Sequence, residues 1–224
     1  MAVELLDLSV PVTTGMPVYP GDPEVEAVPA LTVADAGVNV LRLHLGSHTG
    51  THVDAPFHVG DALPKLDELP LSRFTGPAVV MDARGLPPRA AIEPDLLPEG
   101  LRPGVVLLIA TGWSEQWGSG GYPAHPYPSE RTAEAIVASG VRTVGIDALS
   151  VDRTPAPGET RFSLAAHRVL CGAGAVIAEN LTGLDRLVRA QEDGRAIEVW
   201  LLPLPLAGAD GAPARVVARV TGRA

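Results

Sequence analysis

The sequence predicts an α/β domain that is strand-rich with few helices. Three observations predict it. The 224 residues include 24 glycines and 22 prolines, too many chain breakers for a helical bundle and in keeping with short strands joined by elaborate loops. Residues 78–81 and 105–110 are continuous apolar runs, as expected of strands buried on both faces. Only two segments, one after Ser129 and one after Ser163, carry helix signals. A chain of this length forms a single domain over residues 1–224 and buries about 70% of its unfolded surface.

Taken in order, residues 4–10 read as an opening strand. Residues 39–45 alternate, with Val40, Arg42 and His44 on one face and Leu41, Leu43 and Leu45 on the other. The runs at 78–81 and 105–110 follow. Ser129 then caps a helix that Gly140 ends, with Ala133, Ile136 and Val137 on one side. Residues 141–146 return as a strand. Ser163 reads as the N-cap of a second helix reaching about Cys171. Residues 174–178, 196–202 and 215–220 read as the remaining strands. Two Pro-rich loops, 11–23 and 118–128, are either solvated connections or functional segments.

Composition excludes several function classes. Apolar residues at 46% and charged residues at 19% describe an ordered chain. Seventeen basic against 26 acidic residues leave a net charge of −9, with no basic face for nucleic acid. Three each of Phe, Tyr and Trp supply few stacking platforms. The single cysteine, Cys171, excludes an internal disulfide. The first ten residues lack a signal-peptide pattern, and no apolar run is long enough to span a membrane. The expectation is a cytoplasmic protein that acts on a small molecule.

The chemistry concentrates in residues 48–58, His-Thr-Gly-Thr-His-Val-Asp-Ala-Pro-Phe-His, which hold three of the six histidines. His48, His52 and Asp54 stand at even spacings, which put side chains on one face of an extended chain. Gly50, Thr51, Val53 and Pro56 disfavour the helix that would also bring His48 and His52 together. Two imidazoles and a carboxylate are a common ligand set for a first-row metal, which lowers the pKa of a bound water toward roughly 7. His58 is either a further ligand or an acid/base group. His167, in the second helix, and Glu179, ending an apolar strand, form another candidate pair; a metal is one partner for such a carboxylate and an ion pair or cap another. Asp147 and Asp152 are candidate braces of the site. His44 reads as an ordinary strand residue and Cys171 as a packed thiol. His125 sits in a loop that either lines a pocket or is solvated. Trp113 and Trp117 read as core packing.

These residues resemble the cyclase-like metal-dependent hydrolases, the family that includes bacterial kynurenine formamidase and isatin hydrolase. The resemblance rests on residues 48–58, on Val18-Tyr19-Pro20-Gly21-Asp22, on residues 145–152, on His167, and on Glu179-Asn180-Leu181 with Leu184. It implies a swivelling β/β/α domain that forms a homodimer or homotetramer. It implies that His48, His52 and Asp54 hold one metal and that Asp54 bridges to a second held by His167 and Glu179. His58 is then the catalytic acid/base and Tyr19 a substrate-binding ring. The chain departs from the formamidase pattern at Tyr19, where a Trp is usual, and at Leu149, where a Pro is usual.

The expected function is hydrolysis of a C–N amide bond by metal-activated water, in an N-formyl aryl amine such as N-formylkynurenine or in a cyclic amide. The divalent metal is zinc first and manganese second, one or two ions per subunit. The rival readings are a lyase-type cyclase or dehydratase acting on a carbonyl compound, and a non-catalytic metal- or ligand-binding protein.

Overall fold

The computed structural model describes residues 3–156, 158–159 and 163–222. In chain order the strands are β1 (Val3–Asp7), β2 (Glu26–Leu31), β3 (Val40–His44), β4 (His52–Asp54), β5 (Thr75–Asp82), β6 (Ala91–Ile92), β7 (Val106–Ala110), β8 (Tyr127–Pro128), β9 (Thr143–Ile146), β10 (Val176–Glu179), β11 (Ala196–Pro203) and β12 (Gly211–Thr221). The α-helices are α1 (Val33–Ala36), α2 (Glu130–Ala138), α3 (Ala165–Gly172) and α4 (Leu184–Glu192). The strand-rich expectation holds.

The apolar runs form the middle of the sheet. β5, β7, β9 and β10 lie side by side and parallel. β11 runs antiparallel to β5, and β12 antiparallel to β11. The short β4 then pairs with both β10 and the start of β12, closing a seven-strand mixed barrel. β1 extends the ladder on the remaining length of β12. Alternation along β7 serves two cores. Val106, Leu108 and Ala110 face one that also takes Leu184 and Leu187 of α4; Leu107 and Ile109 face another, filled by Ile136 of α2 and Leu170 of α3. That division explains the unbroken apolar runs.

Ser129 caps α2 as its sequence predicts, accepting from the Thr132 N–H. α3 differs. Leu164, not Ser163, stands at its N-cap and offers no side-chain acceptor. Asp152 fills the role from outside the helix, accepting from the backbone N–H groups of Ala166 (2.9 Å) and His167 (3.0 Å). Its negative charge suits the positive end of the helix dipole.

The alternating segment at 39–45 also behaves unexpectedly. Among the described residues β3 pairs only with β2, and every residue of β3 is exposed, leucines included. The pattern there is that of a free-standing hairpin, with no face against the barrel. Among the described residues no helix is long and apolar enough to cross a membrane.

Closure of the barrel depends on one close approach. A Cβ on Gly211 would lie 2.7 Å from the Val53 carbonyl oxygen and 3.0 Å from His48 Cε1. Gly211→Ala should therefore cost about 1–3 kcal/mol, read as a lower urea midpoint for chelator-treated protein. An unchanged midpoint would show that β4 and β12 are not held this tightly.

Candidate metal centre

Barrel closure gathers the polar residues. On β4 the even spacing turns His52 and Asp54 one way, while Val53 enters the core. The β10 register sets Glu179 directly across from His52. α3, capped by Asp152, carries His167 to the same point. The loop before β4 is fixed by Asn180, which adopts a left-handed conformation (φ 56°) just after β10. Its Nδ2 donates to the Gly50 carbonyl and its backbone carbonyl accepts from Thr51 Oγ1. The 3-10 turn Pro56–Val59 carries His58.

All five residues expected to bind metal therefore converge, and three-residue groups form at His48–His52–Asp54 and at Asp54–His167–Glu179. Asp54 belongs to both. His52, Asp54, His167 and Glu179 are buried, and His48 and His58 are partly exposed.

The hydrogen bonds fix which ring atoms face inward. His52 Nδ1 donates to the Gly50 carbonyl (2.8 Å), which turns Nε2 toward Asp54 Oδ1 (3.2 Å) and Glu179 Oε2 (3.7 Å). His167 Nδ1 donates to Asp152 Oδ2 (2.8 Å), which turns Nε2 toward Asp54 Oδ2 and Glu179 Oε1, both at 3.4 Å. These inward atoms are all acceptors when the imidazoles are neutral. Among the described residues, Asp54 Oδ2 is buried without a hydrogen-bond partner. Acceptors converging on acceptors require a cation between them. Ligand atoms held about 2.1 Å from one tetrahedral ion stand about 3.4 Å apart, which the 3.2–3.7 Å spacings match. The donor set and its spacing fit a divalent metal.

Without the metal, protons supply the positive charge. Burial opposes charging His48, yet Asp54 and Asp210 raise its pKa to about 11. Burial likewise opposes charge on His167, but Asp152 and Asp54 raise it to about 10. Burial would lift Asp54, and the His52 and His48 charges outweigh it, holding the carboxyl well below its ordinary range.

Above the cluster lies a cavity of about 380 Å³. Val18, Tyr19, Pro20, Leu149 and Leu164 supply its apolar wall and His58 its polar edge. The first Pro-rich loop is thus part of the pocket. The second, around 118–128, does not line this cavity. His125 is neither solvated nor in the pocket; it is buried, bonded to Thr154 Oγ1 and the Pro126 carbonyl, and burial lowers its pKa to about 4. His44 lies on the exposed hairpin. Trp113 donates to the Tyr122 carbonyl and Trp117 packs on the Tyr122 ring, both away from the cavity. Of the two expected braces only Asp152 touches the site; Asp147 accepts from Thr111 and Gly112 and pins the turn after β7. Cys171 is buried and its thiol pushed up by burial.

One contributor went unread in the sequence. Asp210 Oδ2 stands 2.7 Å from His48 Nε2 and 3.1 Å from His58 Nδ1. Asp210-Gly211 looks like an ordinary turn, and nothing local to it points to residues 150 positions earlier.

The family model described as Cyclase matches residues 6–153. The chain belongs to the cyclase family. A kynurenine formamidase from Salinibacter ruber is 36% identical over 220 residues, covering 96% of this chain and 97% of that protein. A crystal structure of an isatin hydrolase bound to the product analogue thioisatinate shares the fold, with a TM-score of 0.86 at 22% identity, covering 97% of this chain and 92% of that one. A structure described as a potential metal-dependent hydrolase with cyclase activity has a TM-score of 0.75 at 26% identity, covering 97% and 99%.

Raised imidazole pKa values have a consequence for metal binding. Groups protonated at neutral pH must release protons to become ligands, so affinity rises with pH. Calorimetric titration of chelator-treated protein with zinc at pH 7, in buffers of different ionisation enthalpy, should show net proton release. Zinc binding without proton release would mean that the imidazoles are already neutral.

Proposed function

We propose that the protein is a metal-dependent hydrolase of a C–N amide bond in a small molecule, an N-formyl aryl amine such as N-formylkynurenine or a cyclic amide. The observation that carries this is the buried ring of acceptors around Asp54, open on one side to an apolar cavity edged by His58. His48, His52, Asp54, His167 and Glu179 hold the metal, zinc first and manganese second. When bound, the metal supplies Lewis acidity that activates water and favours negative charge on the carbonyl oxygen.

The chain's own groups supply the rest. The Tyr19 ring and the neighbouring prolines offer a flat apolar wall for an aromatic substrate. His58 Nδ1 is occupied by Asp210, which leaves Nε2 to exchange protons. It takes a proton from the attacking water and passes it to the nitrogen as the C–N bond breaks, giving a carboxylic acid and an amine. An amide nitrogen leaves poorly without that proton. The swivelling β/β/α assignment belongs to the same reading, supported by the parallel β5–β7–β9–β10 core and its flanking helices.

Self-association belongs to it as well. An isolated two-strand hairpin is marginal in water. Yet among the described residues β2 and β3 pair only with each other, and Leu31, Val40, Leu41 and Leu43 are exposed. A second copy of the chain is the occupant this hairpin suits, giving a homodimer or a homotetramer.

Metal-loaded protein should release kynurenine from N-formylkynurenine, and chelator-treated protein should not; turnover that survives chelation would contradict the proposal. His58→Ala should lower kcat by roughly 10²–10⁴-fold with its zinc content unchanged, and full activity would remove His58 from the mechanism. Sedimentation should give a mass at least twice the 23.2 kDa of one chain. Replacing Leu41 and Leu43 with Glu should return the monomer, whereas an unchanged mass would place the interface elsewhere.

A further inference from the structure

We infer that Asp210 is a positioning residue that sets, with a single carboxylate oxygen, the tautomers of both a metal-binding histidine and the acid/base histidine. The inference rests on the proposed hydrolase reading for the role of His58, and on geometry for the rest.

The geometry begins with the backbone. The Ala55 N–H donates to the Asp210 carbonyl at 2.8 Å, tying the segment before β12 to the end of β4. Gly211 lies so close to His48 that a Cβ there would sit 3.0 Å from the ring. The Asp210 side chain is thereby delivered between two imidazoles whose centroids are 4.2 Å apart. Its Oδ2 lies 2.7 Å from His48 Nε2 and 3.1 Å from His58 Nδ1.

An ionised carboxylate only accepts, so both nitrogens must carry hydrogen. The two histidines are pinned in opposite senses. His48 keeps a proton on Nε2 for Asp210, so the proton on Nδ1, shared with Asp54 at 2.7 Å, is the one a metal would displace. His58 keeps its proton on Nδ1 and frees Nε2 for the cavity it edges. That is the less common tautomer of a free imidazole, so something must select it. Carboxylates behind metal-binding histidines act this way; here one carboxylate also serves a ring that binds no metal.

The same three residues could instead hold an ion of their own, since their donor atoms lie within 4.8 Å of one another. The test separates these readings. Asp210→Asn keeps the shape but replaces the charged oxygen that both rings share with a neutral amide, which weakens its hold on the two N–H groups; Asp210→Glu restores the charge. Each protein is loaded with zinc, its bound zinc counted, and its affinity measured against a chromophoric chelator. Imidazole nitrogens are assigned by 15N NMR, and turnover of N-formylkynurenine is followed against pH.

The expected result for Asp210→Asn is the wild-type zinc count with roughly 10–100-fold weaker binding. His58 should leave the Nδ1–H form. kcat should fall at least about tenfold, with KM moving much less and the pH profile displaced, as when a carboxylate behind a catalytic histidine is replaced. Asp210→Glu should recover part of both signals. A wild-type His58 found with its proton on Nε2, or an Asp210→Asn protein with unchanged tautomers and kcat, would overturn the inference. Loss of a whole zinc equivalent in Asp210→Asn would also overturn it, making Asp210 a ligand. If the wild type fails to hydrolyse N-formylkynurenine, the substrate reading falls while the NMR and zinc measurements still decide the role of Asp210.

Discussion

The constraint on which the rest of the structure depends is the repulsion of like acceptors around Asp54. Its carboxylate is buried, one oxygen has no hydrogen-bond partner among the described residues, and the inward nitrogens of His52 and His167, acceptors when neutral, approach it from two directions. Burying an unpaired ionised carboxylate costs several kcal/mol. The chain nonetheless builds the arrangement from three separate segments, residues 48–54, α3 and β10, each held by its own hydrogen bonds. Gly50 and Asp152 hold the rings of His52 and His167 from behind. Backbone pairing to β10 and β12 holds β4. Such an assembly is held by protons when metal-free and by a divalent metal at its centre when one is supplied.

Much of this was legible in the sequence because it is local. The even spacing of His52 and Asp54 foretold a shared face, and β4 supplies it; His48 joins them from the turn before the strand, not along it. The apolar runs foretold the central parallel strands, since strands covered on both sides need no polar alternation. Ser129 foretold the cap of α2, because a cap reaches only three residues. The resemblance to a known family then joined His167 and Glu179 to the first group, which spacing alone could not do.

What escaped the sequence depends on distance or on exposure. Asp152 caps α3 from well before it in the chain, so the nearer Ser163 looked like the cap. Asp210 meets His48 and His58 only because β12 closes the barrel against β4. The alternation at 39–45 reads the same whether one face is covered by the barrel or left free, and here it is left free. The helix α4 was overlooked although Leu184, Leu187 and Val188 share a buried face; its many charges hid the period.

The site divides labour by burial. The inward groups His52, Asp54, His167 and Glu179 are sequestered, while His58 and Asp210 remain partly exposed at the edge of the cavity. Buried groups can hold a charge in place, and an exposed imidazole can exchange protons with solvent and substrate. The most direct test of the central claim is anomalous diffraction from crystals grown with zinc. The account predicts a peak within bonding distance of Asp54 Oδ2, His167 Nε2 and Glu179 Oε1. Crystals without such a peak, in which Asp54 Oδ2 instead accepts a proton from a protonated His167 or Glu179, would contradict it.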